Sequence, residues 1–397
     1  MKWFVPGRLE VLGKHTDYAG GRSLLAAVDR GVTITLEDAD EAIAASTTAV
    51  PGRLRLLPGV EPGLPQGHWG YYVQAVLDRL HLNFGDLKPA SLLFDSNLPL
   101  ASGMSSSSAL VVAAALALID HNGIRDTDEW KANIRTDIDL AGYLATMENG
   151  LTFGALEGFR GVGTFGGSED HTAMLCCKAD HLTEFTFCPI EEQRSVQFPA
   201  DWTFVVAVSG VLAEKTGSAL ESYNNASRKA RELAEAWNSA TGRDDAVLGD
   251  ALASSDDALE GLRAISAHDD ALTARLTAFV TESEVAIPRA IDALERGDIK
   301  GFGEAAELSH RNADEALGNQ IDETNRLQWL ARELGAPAAA GFGAGFGGSV
   351  WALVETAEAE SFADRWLAAY LAEFPAVEGR ASTIVTRPGG PARRLDS

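Results

Sequence analysis

A loop of small residues between an apolar run and a long alanine-rich run constrains the fold of this chain more than any other feature. Residues 99–109 read PLASGMSSSSA, with the apolar run 91–95 before them and an unbroken apolar stretch over 109–119 after them. This order predicts a strand, a tight loop and a long buried helix.

The same loop predicts an anion site. Glycine and serine side chains are small enough to let backbone amides approach a ligand, and the helix start adds unpaired N–H groups and a positive dipole end. The serine hydroxyls can also supply an oxygen ligand to Mg²⁺. Serine-rich loops also cap helices, but four consecutive serines before so apolar a helix favour phosphate binding. The spacing differs from G-x-x-x-x-G-K-[ST], which excludes the common P-loop.

Composition limits the partners of the chain. It has 33 Lys and Arg residues against 57 Asp and Glu, a formal net charge of −24. A field of this sign repels nucleic acid phosphates and anionic membranes, so we expect neither partner. The three cysteines cannot form a disulfide framework. The longest apolar run is half a bilayer span, and no leader is visible before the motif that begins at Pro6. We therefore expect a soluble, cytoplasmic protein.

Apolar periodicity divides the 397 residues into two predicted domains, 1–195 and 196–397, with a polar, irregular boundary around 189–199. Runs of strands followed by runs of helices favour an α+β fold, and 242–272 is interpreted as a helix-rich insertion. The predicted strands are 9–12, 24–36, 53–57, 91–95, 172–177, 183–187, 203–209, 350–355 and 382–386. Besides the helix after the serine-rich loop, the predicted helices are 69–80, 138–148, 218–241, 286–297, 301–317 and 323–334.

Two further segments combine glycine with functional groups. Residues 343–354 read GAGFGGSVWALV, so their backbone packs closely against a neighbour, although a tight turn beneath a helix explains this segment equally well. Residues 6–21 read PGRLEVLGKHTDYAGG, a mixed-charge loop that suits a sugar or a phosphate. A lone histidine in a loop is more often structural, but a His-Thr-Asp-Tyr cluster between glycines favours binding. The functional side chains of this loop are Arg8, Lys14, His15 and Asp17.

In their order along the chain, the segments 6–21, 99–109 and 343–354 resemble the three signature motifs of the GHMP kinases. Segment 6–21 is most similar to the galactokinase motif G-R-V-N-L-I-G-E-H-T-D-Y-N-G-G. The resemblance implies a two-domain α+β fold, with an N-terminal ribosomal-S5-like domain, a C-terminal ferredoxin-like domain and the active site between them. The matching positions of the first motif are Gly7, Arg8, Gly13, His15, Thr16, Asp17, Tyr18, Gly20 and Gly21.

The resemblance also implies an activity. It implies an enzyme, an ATP-dependent monosaccharide kinase that phosphorylates its sugar at the anomeric C1 hydroxyl. The partners are then a sugar and ATP with Mg²⁺, and the assembly is a monomer or a homodimer. A galactokinase-like sensor that binds sugar and nucleotide without turnover is the alternative from another class. Retention of Arg8, Ser107 and Asp170 favours the enzyme.

For the nucleotide, the resemblance places the phosphates on the serine-rich loop. Ser107 aligns with the serine that contacts Mg²⁺, and Glu148 fits the second metal-associated acid. Glu148 lies further from the catalytic position than in galactokinases, so 152–159 is interpreted as an insertion and Glu157 stays as an alternative. The nucleotide-binding residues that the resemblance implies are Gly103, Ser105, Ser106, Ser107, Ser108 and Trp69.

For the reaction, residues 165–171, FGGSEDH, take the place of the galactokinase segment G-I-M-D-Q. Asp170 then has the role of the catalytic carboxylate, which orients the acceptor hydroxyl or takes its proton. Arg8 stabilises this carboxylate and the transferred phosphoryl group. Glu169 and His171 depart from the family pattern. The sugar-binding residues that the resemblance implies are Lys14, His15, Asp17, Gly167 and Tyr223.

Lys14 is the departure that bears most on the substrate, because galactokinases have a glutamate at this position. An ammonium group only donates, so it can pair with a carboxylate, and a uronic acid becomes an alternative substrate. Two other interpretations stay open: Lys14 donates to a neutral sugar hydroxyl, or it turns to solvent. Glu10, where galactokinases have asparagine, is expected to neutralise Lys14.

Overall fold

Two β-sheets, each covered by helices, form the framework of the chain, and the α+β class is confirmed. In a computed structural model the described residues are 1–99, 102–211 and 217–395, so Leu100 and Ala101 of the serine-rich loop lie outside them. The strands are β1 (Lys2–Leu12), β2 (Arg22–Asp38), β3 (Ile43–Thr47), β4 (Leu54–Leu56), β5 (Ala90–Ser96), β6 (His181–Thr186), β7 (Glu191–Gln197), β8 (Trp202–Val208), β9 (Ala338–Phe342), β10 (Ser349–Glu355), β11 (Ser382–Thr386) and β12 (Arg393–Arg394).

The first sheet runs in the order β12-β1-β2-β5-β3-β4, with β6 and β7 beside β2. The second sheet runs in the order β11-β8-β10-β9. Strands β3 and β5 pair in parallel, and the central pairs β1–β2 and β2–β5 are antiparallel. The long strands β1 and β2 therefore carry the first segment of functional residues along the middle of the first sheet.

Helices fill the remaining chain, including the insertion that the sequence predicts at 242–272. Short π-helical turns, Thr281–Ala286 and Ala313–Leu317, follow the ninth and eleventh helices. The helices are α1 (Gly70–Phe84), α2 (Ser106–Asn122), α3 (Asp128–Asn133), α4 (Asp137–Asn149), α5 (Glu169–Cys176), α6 (Gly217–Thr241), α7 (Leu248–Ala253), α8 (Ala258–Ser266), α9 (Asp270–Val280), α10 (Ile287–Glu295), α11 (Ile299–Asn312), α12 (Asp322–Glu333) and α13 (Ala359–Glu373).

Helix α2 is the central helix of the first half. It packs against β1 and β2 and against α1, α4 and α5. A helix that is apolar on every side belongs in a core, and its many alanines let the surrounding elements approach closely. Its N-terminus is thereby fixed beside strand β1.

The predicted strand at 172–177 is wrong, because this segment belongs to helix α5. Ala173, Met174 and Leu175 are buried there, and a short apolar run does not distinguish a strand from a buried helix. Asp170 therefore lies in the first turn of a helix and not in a loop before a strand.

The polar stretch at 189–199 is also more regular than predicted, since it contains β7, which pairs with β6. A polar strand at the end of a sheet lacks the apolar alternation that marks strands in a sequence. The first sheet thus continues past residue 195, and it takes β12 from the C-terminus. The domain boundary remains a proposal, and these strands place it after Gln197.

The two halves share one apolar core. A single cluster of buried side chains includes residues of β1, α2, β8 and β10. Trp351 of β10 is fully buried, and its indole N–H donates to the carbonyl of Val11 at 3.0 Å. This contact holds the second sheet against strand β1, where the functional residues lie.

Among the described residues, no helix combines the length and the apolar character that a membrane crossing requires.

Candidate active site

Three loops from distant parts of the sequence meet near the end of strand β1. A side chain at Gly343 would lie 3.2 Å from the carbonyl oxygen of Gly103, so the loop after β9 approaches the serine-rich loop through a glycine. His15 Nε2 lies 3.0 Å from the carbonyl oxygen of Ala344. The third glycine-rich segment thus belongs to the same site as the other two.

A cavity lies where these loops meet. Eight of the site residues predicted from the sequence line it, together with seven others. The first group is Arg8, His15, Asp17, Ser108, Glu148, Gly167, Asp170 and Tyr223. The second group is Glu10, Thr164, Gly166, Glu169, His171, Gly343 and Ala344.

Asp170 is held by two donors on one wall of this cavity. Arg8 Nε donates to Oδ1 at 2.7 Å, and Ser108 Oγ donates to Oδ2 at 3.1 Å. The guanidinium of Arg8 also donates to the carbonyl of Gly103. An oriented carboxylate, a guanidinium and the N-terminus of α2 therefore lie side by side.

The guanidinium of Arg8 stays charged in this position. Burial alone would lower the pKa of Arg8, but the carboxylates of Asp170 and Glu169 raise it above its ordinary value. Glu169 Oε1 lies 3.5 Å from Arg8 Nε, and Oε2 accepts from Ser23 Oγ at 2.7 Å. Arg8 is thus a fixed positive charge beside the carboxylate that it orients.

Three further carboxyl groups of the cavity, those of Glu10, Asp17 and Glu169, are harder to ionise than usual. Burial raises the pKa of Asp17 and of Glu169, and it raises the pKa of Glu10 to about 7. Of the described residues that line the cavity, Arg8 alone carries a permanent positive charge. The cavity is therefore acidic and only partly neutralised.

His15 has an unusual backbone conformation, with φ 59°. Residues other than glycine seldom adopt this left-handed region, and such strain often marks a functional position. Arg275 Nη2 donates to the carbonyl of His15 at 2.6 Å, which holds the backbone in place. The ring is fixed as well, because Nδ1 lies 2.8 Å from the hydroxyl oxygen of Tyr18 and the Tyr223 ring centroid lies 4.9 Å away.

Two glycines before helix α5 are required by close contacts. A side chain at Gly167 would clash with the carboxylate of Asp17, and one at Gly166 would lie 2.9 Å from the hydroxyl oxygen of Tyr223. The backbone can therefore run directly beside these two side chains. This explains why a glycine pair stands just before helix α5.

Lys14 does not line the cavity, although the resemblance places it in the sugar site. Its ammonium group donates to Ser309 Oγ at 2.8 Å and lies 3.7 Å from Glu282 Oε1. Lys14 and Glu282 each have a side chain that is 1% exposed, so Lys14 does not turn to solvent either. The ion pair of Lys14 is with Glu282, and Lys14 also acts on Glu10 as a cation, so the two acids share its neutralisation.

Five of the six predicted nucleotide-binding residues, Gly103 and Ser105 to Ser108, lie at or just before the start of α2. Ser105 precedes the helix in a left-handed conformation, and Ser106 and Ser107 are half-buried in its first turn. Unlike Ser108, these three serines do not line the cavity. Trp69 stacks on His68 at the start of α1, with ring centroids 5.7 Å apart. Phosphate binding by this loop and nucleotide binding by Trp69 remain predictions.

The predicted magnesium ligands supply oxygen atoms, which are the ligands that Mg²⁺ prefers. Glu148 lies in the last turn of α4 and lines the cavity, where His171 Nε2 lies 3.3 Å from its Oε1. Glu157 does not line the cavity and is exposed. In the part of the chain that the structure describes, no three His, Cys, Asp or Glu residues form a metal cluster.

Sequence reasoning missed several residues that shape the site. Glu169 precedes Asp170 and reaches Arg8, whereas Glu282 and Arg275 reach the first segment from helices of the second half. Glu169 was visible as a departure from the family motif. Glu282 and Arg275 had no local signal, because their partners lie more than half the chain away.

Comparisons with known proteins identify the same segments. Residues 71–151 match the family model of the GHMP kinases N terminal domain, and 290–372 match that of the GHMP kinases C terminal domain. Residues 1–37 match the galactokinase galactose-binding signature. Together these matches span about half of the chain.

Curated relatives align over nearly the full length. The galactokinase of Streptomyces coelicolor is 28% identical over 367 residues, which cover 89% of this chain and 84% of that protein. The galactokinase of Pyrococcus furiosus is 27% identical over 391 residues, which cover 96% of each chain.

Solved structures show the same fold. Lactococcus lactis galactokinase complexed with galactose has a TM-score of 0.81 at 23% identity, covering 99% of this chain and 95% of that chain. L. major mevalonate kinase in complex with R-mevalonate has a TM-score of 0.59 at 15% identity, covering 98% and 97% of the two chains. The chain therefore belongs to the GHMP kinase superfamily and is closely related to its galactokinases.

Proposed function

We propose that the chain is an ATP-dependent sugar kinase that transfers the γ-phosphoryl group of ATP to the anomeric C1 hydroxyl of a hexose. The observation that carries this proposal is the contact of Arg8 and Ser108 with Asp170 beside the N-terminus of α2. Phosphoryl transfer needs an aligned acceptor and neutralised phosphate charge. This wall of the cavity supplies groups for both.

Each of these groups has a definite task in the proposed reaction. Asp170 accepts a hydrogen bond from the sugar hydroxyl and directs its oxygen at phosphorus. Arg8 keeps Asp170 in place and stabilises the negative charge of the transferred group. Ser108 fixes the second carboxylate oxygen, so that the carboxylate cannot rotate away from the acceptor.

The start of α2 is the proposed phosphate site, and Ser107 and Glu148 are the proposed magnesium ligands. Mg²⁺, when bound, neutralises phosphate charge. A second cavity of about 410 Å³ shares Thr164 with the first and includes Tyr71, Tyr72 and His68 in its lining. We assign the nucleotide base to this second cavity, because stacking on aromatic rings holds a planar base.

A neutral hexose, with galactose as the first candidate, is the proposed acceptor. Two relatives are named galactokinases, and one solved relative is a galactokinase in complex with galactose. His15, Asp17 and Tyr223 offer hydrogen-bonding groups of the kind that sugar hydroxyls need. The uronic acid alternative depended on a free Lys14 ammonium, but that group is engaged by Ser309 and Glu282.

A coupled ADP-release assay across a panel of hexoses, hexosamines and uronic acids tests this proposal. We expect ADP release with at least one neutral hexose, and a product whose reducing end is blocked. ³¹P and ¹³C spectra of the product identify the phosphorylated carbon. Sugar and ATP binding by calorimetry without ADP release would instead establish the sensor alternative. A product that keeps its reducing end would overturn the C1 assignment.

A further inference from the structure

The cavity contains a buried carboxyl group that the proposed transfer does not use. Glu10 follows Arg8 by two residues on β1, so both side chains project from the same face of the strand. Glu10 is 3% exposed, and its Oε1 has no hydrogen-bond partner among the described residues. A buried polar atom without a hydrogen-bond partner costs folding free energy, unless a ligand supplies the missing hydrogen bond. Because Glu10 lines the cavity, a bound ligand can supply this partner.

The neighbours of Glu10 leave its charge only partly compensated. Arg8 and Lys14 act on it as cations, and Glu282 acts as an anion. The carboxyl group of Glu169 also acts on Glu10 electrostatically, and two neighbouring buried carboxyl groups do not both ionise readily. Arg8 is already bonded to Asp170, and Lys14 contacts Glu282. Glu10 is therefore available to a group that donates a hydrogen bond.

We propose that Glu10 is a specificity-determining residue of the sugar site, whose carboxyl group binds a hydroxyl or ammonium substituent and excludes a carboxylate. The inference rests on the proposed function and names its substrate class, a neutral or amino hexose.

The charges around the cavity support this class. A uronic acid would bring its carboxylate into a space with five carboxyl groups and one guanidinium, where like charges repel. An ammonium group would gain a charge-assisted hydrogen bond in the same place. The five carboxyl groups are those of Glu10, Asp17, Glu148, Glu169 and Asp170.

The experiment compares the wild type with Glu10→Gln, which keeps the size of the side chain and removes its charge. kcat/KM is measured at pH 8, above the pKa of about 7 of Glu10, with MgATP for galactose, galactosamine and galacturonate, and the affinity of each sugar is measured by calorimetry without ATP. We expect Glu10→Gln to raise the galacturonate-to-galactose ratio by about 10-fold or more. The galactosamine-to-galactose ratio should fall by about 10-fold, since one charge-assisted hydrogen bond is lost.

Glu184→Gln is the matched control. Glu184 is buried as well, but it contacts Arg22 and Arg194 and does not line the cavity. The Glu184→Gln variant should leave both sugar ratios unchanged.

If Glu10→Gln does not fold, the variant Glu10→Asn tests the same ratios, since asparagine is the residue that galactokinases have at this position. Ratios that stay within twofold of the wild type would overturn the role of Glu10, while wild-type turnover would still support the proposed kinase. If the wild type turns over no sugar, the kinase proposal fails, and the calorimetric ratios still decide on Glu10.

Discussion

Asp170 combines three contacts that favour its charged form. It lies in the first turn of α5, where unpaired N–H groups and the positive end of the helix dipole stabilise a carboxylate. Arg8 and Ser108 each donate to one of its oxygens. Both carboxylate oxygens of Asp170 are thereby held in fixed positions. We therefore expect Asp170 to act mainly by orienting the acceptor hydroxyl.

The first prediction is that Asp170→Asn lowers kcat by about 10² or more, because the acceptor hydroxyl loses the charged group that orients it and that can accept its proton. The affinity for ATP should change little, because no proposed phosphate contact is removed. Steady-state kinetics and calorimetry with ATP measure the two effects. Asp126→Asn, on the exposed turn after α2, serves as the control and should retain wild-type turnover. A variant at Asp170 with more than half of the wild-type kcat would contradict the assignment.

The second prediction separates two neighbouring serines of α2. Ser108→Ala should lower kcat about 10-fold, because a hydrogen bond to a charged group contributes about 1.5–3 kcal/mol. Its Mg²⁺ requirement should stay the same. Ser107→Ala should instead raise the Mg²⁺ concentration for half-maximal activity, since one oxygen ligand is missing. Magnesium titrations of kcat for both variants measure this difference. Equal Mg²⁺ curves for Ser107→Ala and the wild type would show that Ser107 is not a magnesium ligand.

At the scale of elements, the π-helical turn Thr281–Ala286 holds the loop after β1. Glu282 Oε1 accepts from the main-chain N–H of Gly13 at 2.8 Å and from Ser309 Oγ at 2.8 Å. Lys14 adds its ammonium to the same carboxylate. One buried carboxylate thereby joins the loop, the turn and α11, and the cavity residues that follow Lys14 depend on this junction.

The third prediction is that Lys14→Met destabilises the protein by about 3 kcal/mol, because breaking a buried ion pair leaves its partner uncompensated. The relative kcat/KM for galactose and galacturonate should remain within twofold of the wild-type ratio. Urea unfolding and the sugar kinetics measure the two effects. The double variant Lys14→Met/Glu282→Gln removes both charges and should recover part of the lost stability. A tenfold change in the galactose-to-galacturonate ratio without loss of stability would instead show that Lys14 contacts the sugar.

Most elements could be predicted from the sequence, because their apolar patterns are local. The helix after the serine-rich loop and the strands β2, β8 and β10 follow from periodicity alone. Helix α5 could not, since its apolar run is too short to show a period. Strands β3, β7, β9 and β12 were missed, because short, polar or alanine- and glycine-rich runs carry little strand signal.

At the scale of the whole molecule, the site was predictable only where its residues lie in compact motifs. Arg8, His15 and Asp170 are marked by glycine-rich surroundings, and the fold brings them together. The contact of Glu282 with Lys14 joins residues 268 positions apart. No sequence pattern around Lys14 or Glu282 predicts their contact, so only the folded structure shows the orientation of Lys14.

Buried carboxyl groups also link the cavity to the stability of the whole protein. Burial raises the pKa of Glu10 from 4.5 to about 7, and it raises the pKa of Glu169 and Asp17 as well. Between pH 4.5 and 7 the folded protein holds a proton on Glu10 that the unfolded chain has lost. Unfolding then releases a proton, so the free energy of unfolding falls as the pH rises through this window.

The fourth prediction is that Glu10→Gln makes the stability less dependent on pH. The wild type should lose up to about 3 kcal/mol from Glu10 between pH 4.5 and 7, at about 1.36 kcal/mol for each unit of pKa shift. The glutamine amide of the variant does not titrate, so the variant should lose less over the same range and be relatively more stable at pH 7. Urea unfolding of both proteins at several pH values across and just above this window measures the difference. Parallel curves for the two proteins would show that Glu10 is ionised in the folded state throughout this range, and that its charge is fully compensated by Arg8 and Lys14.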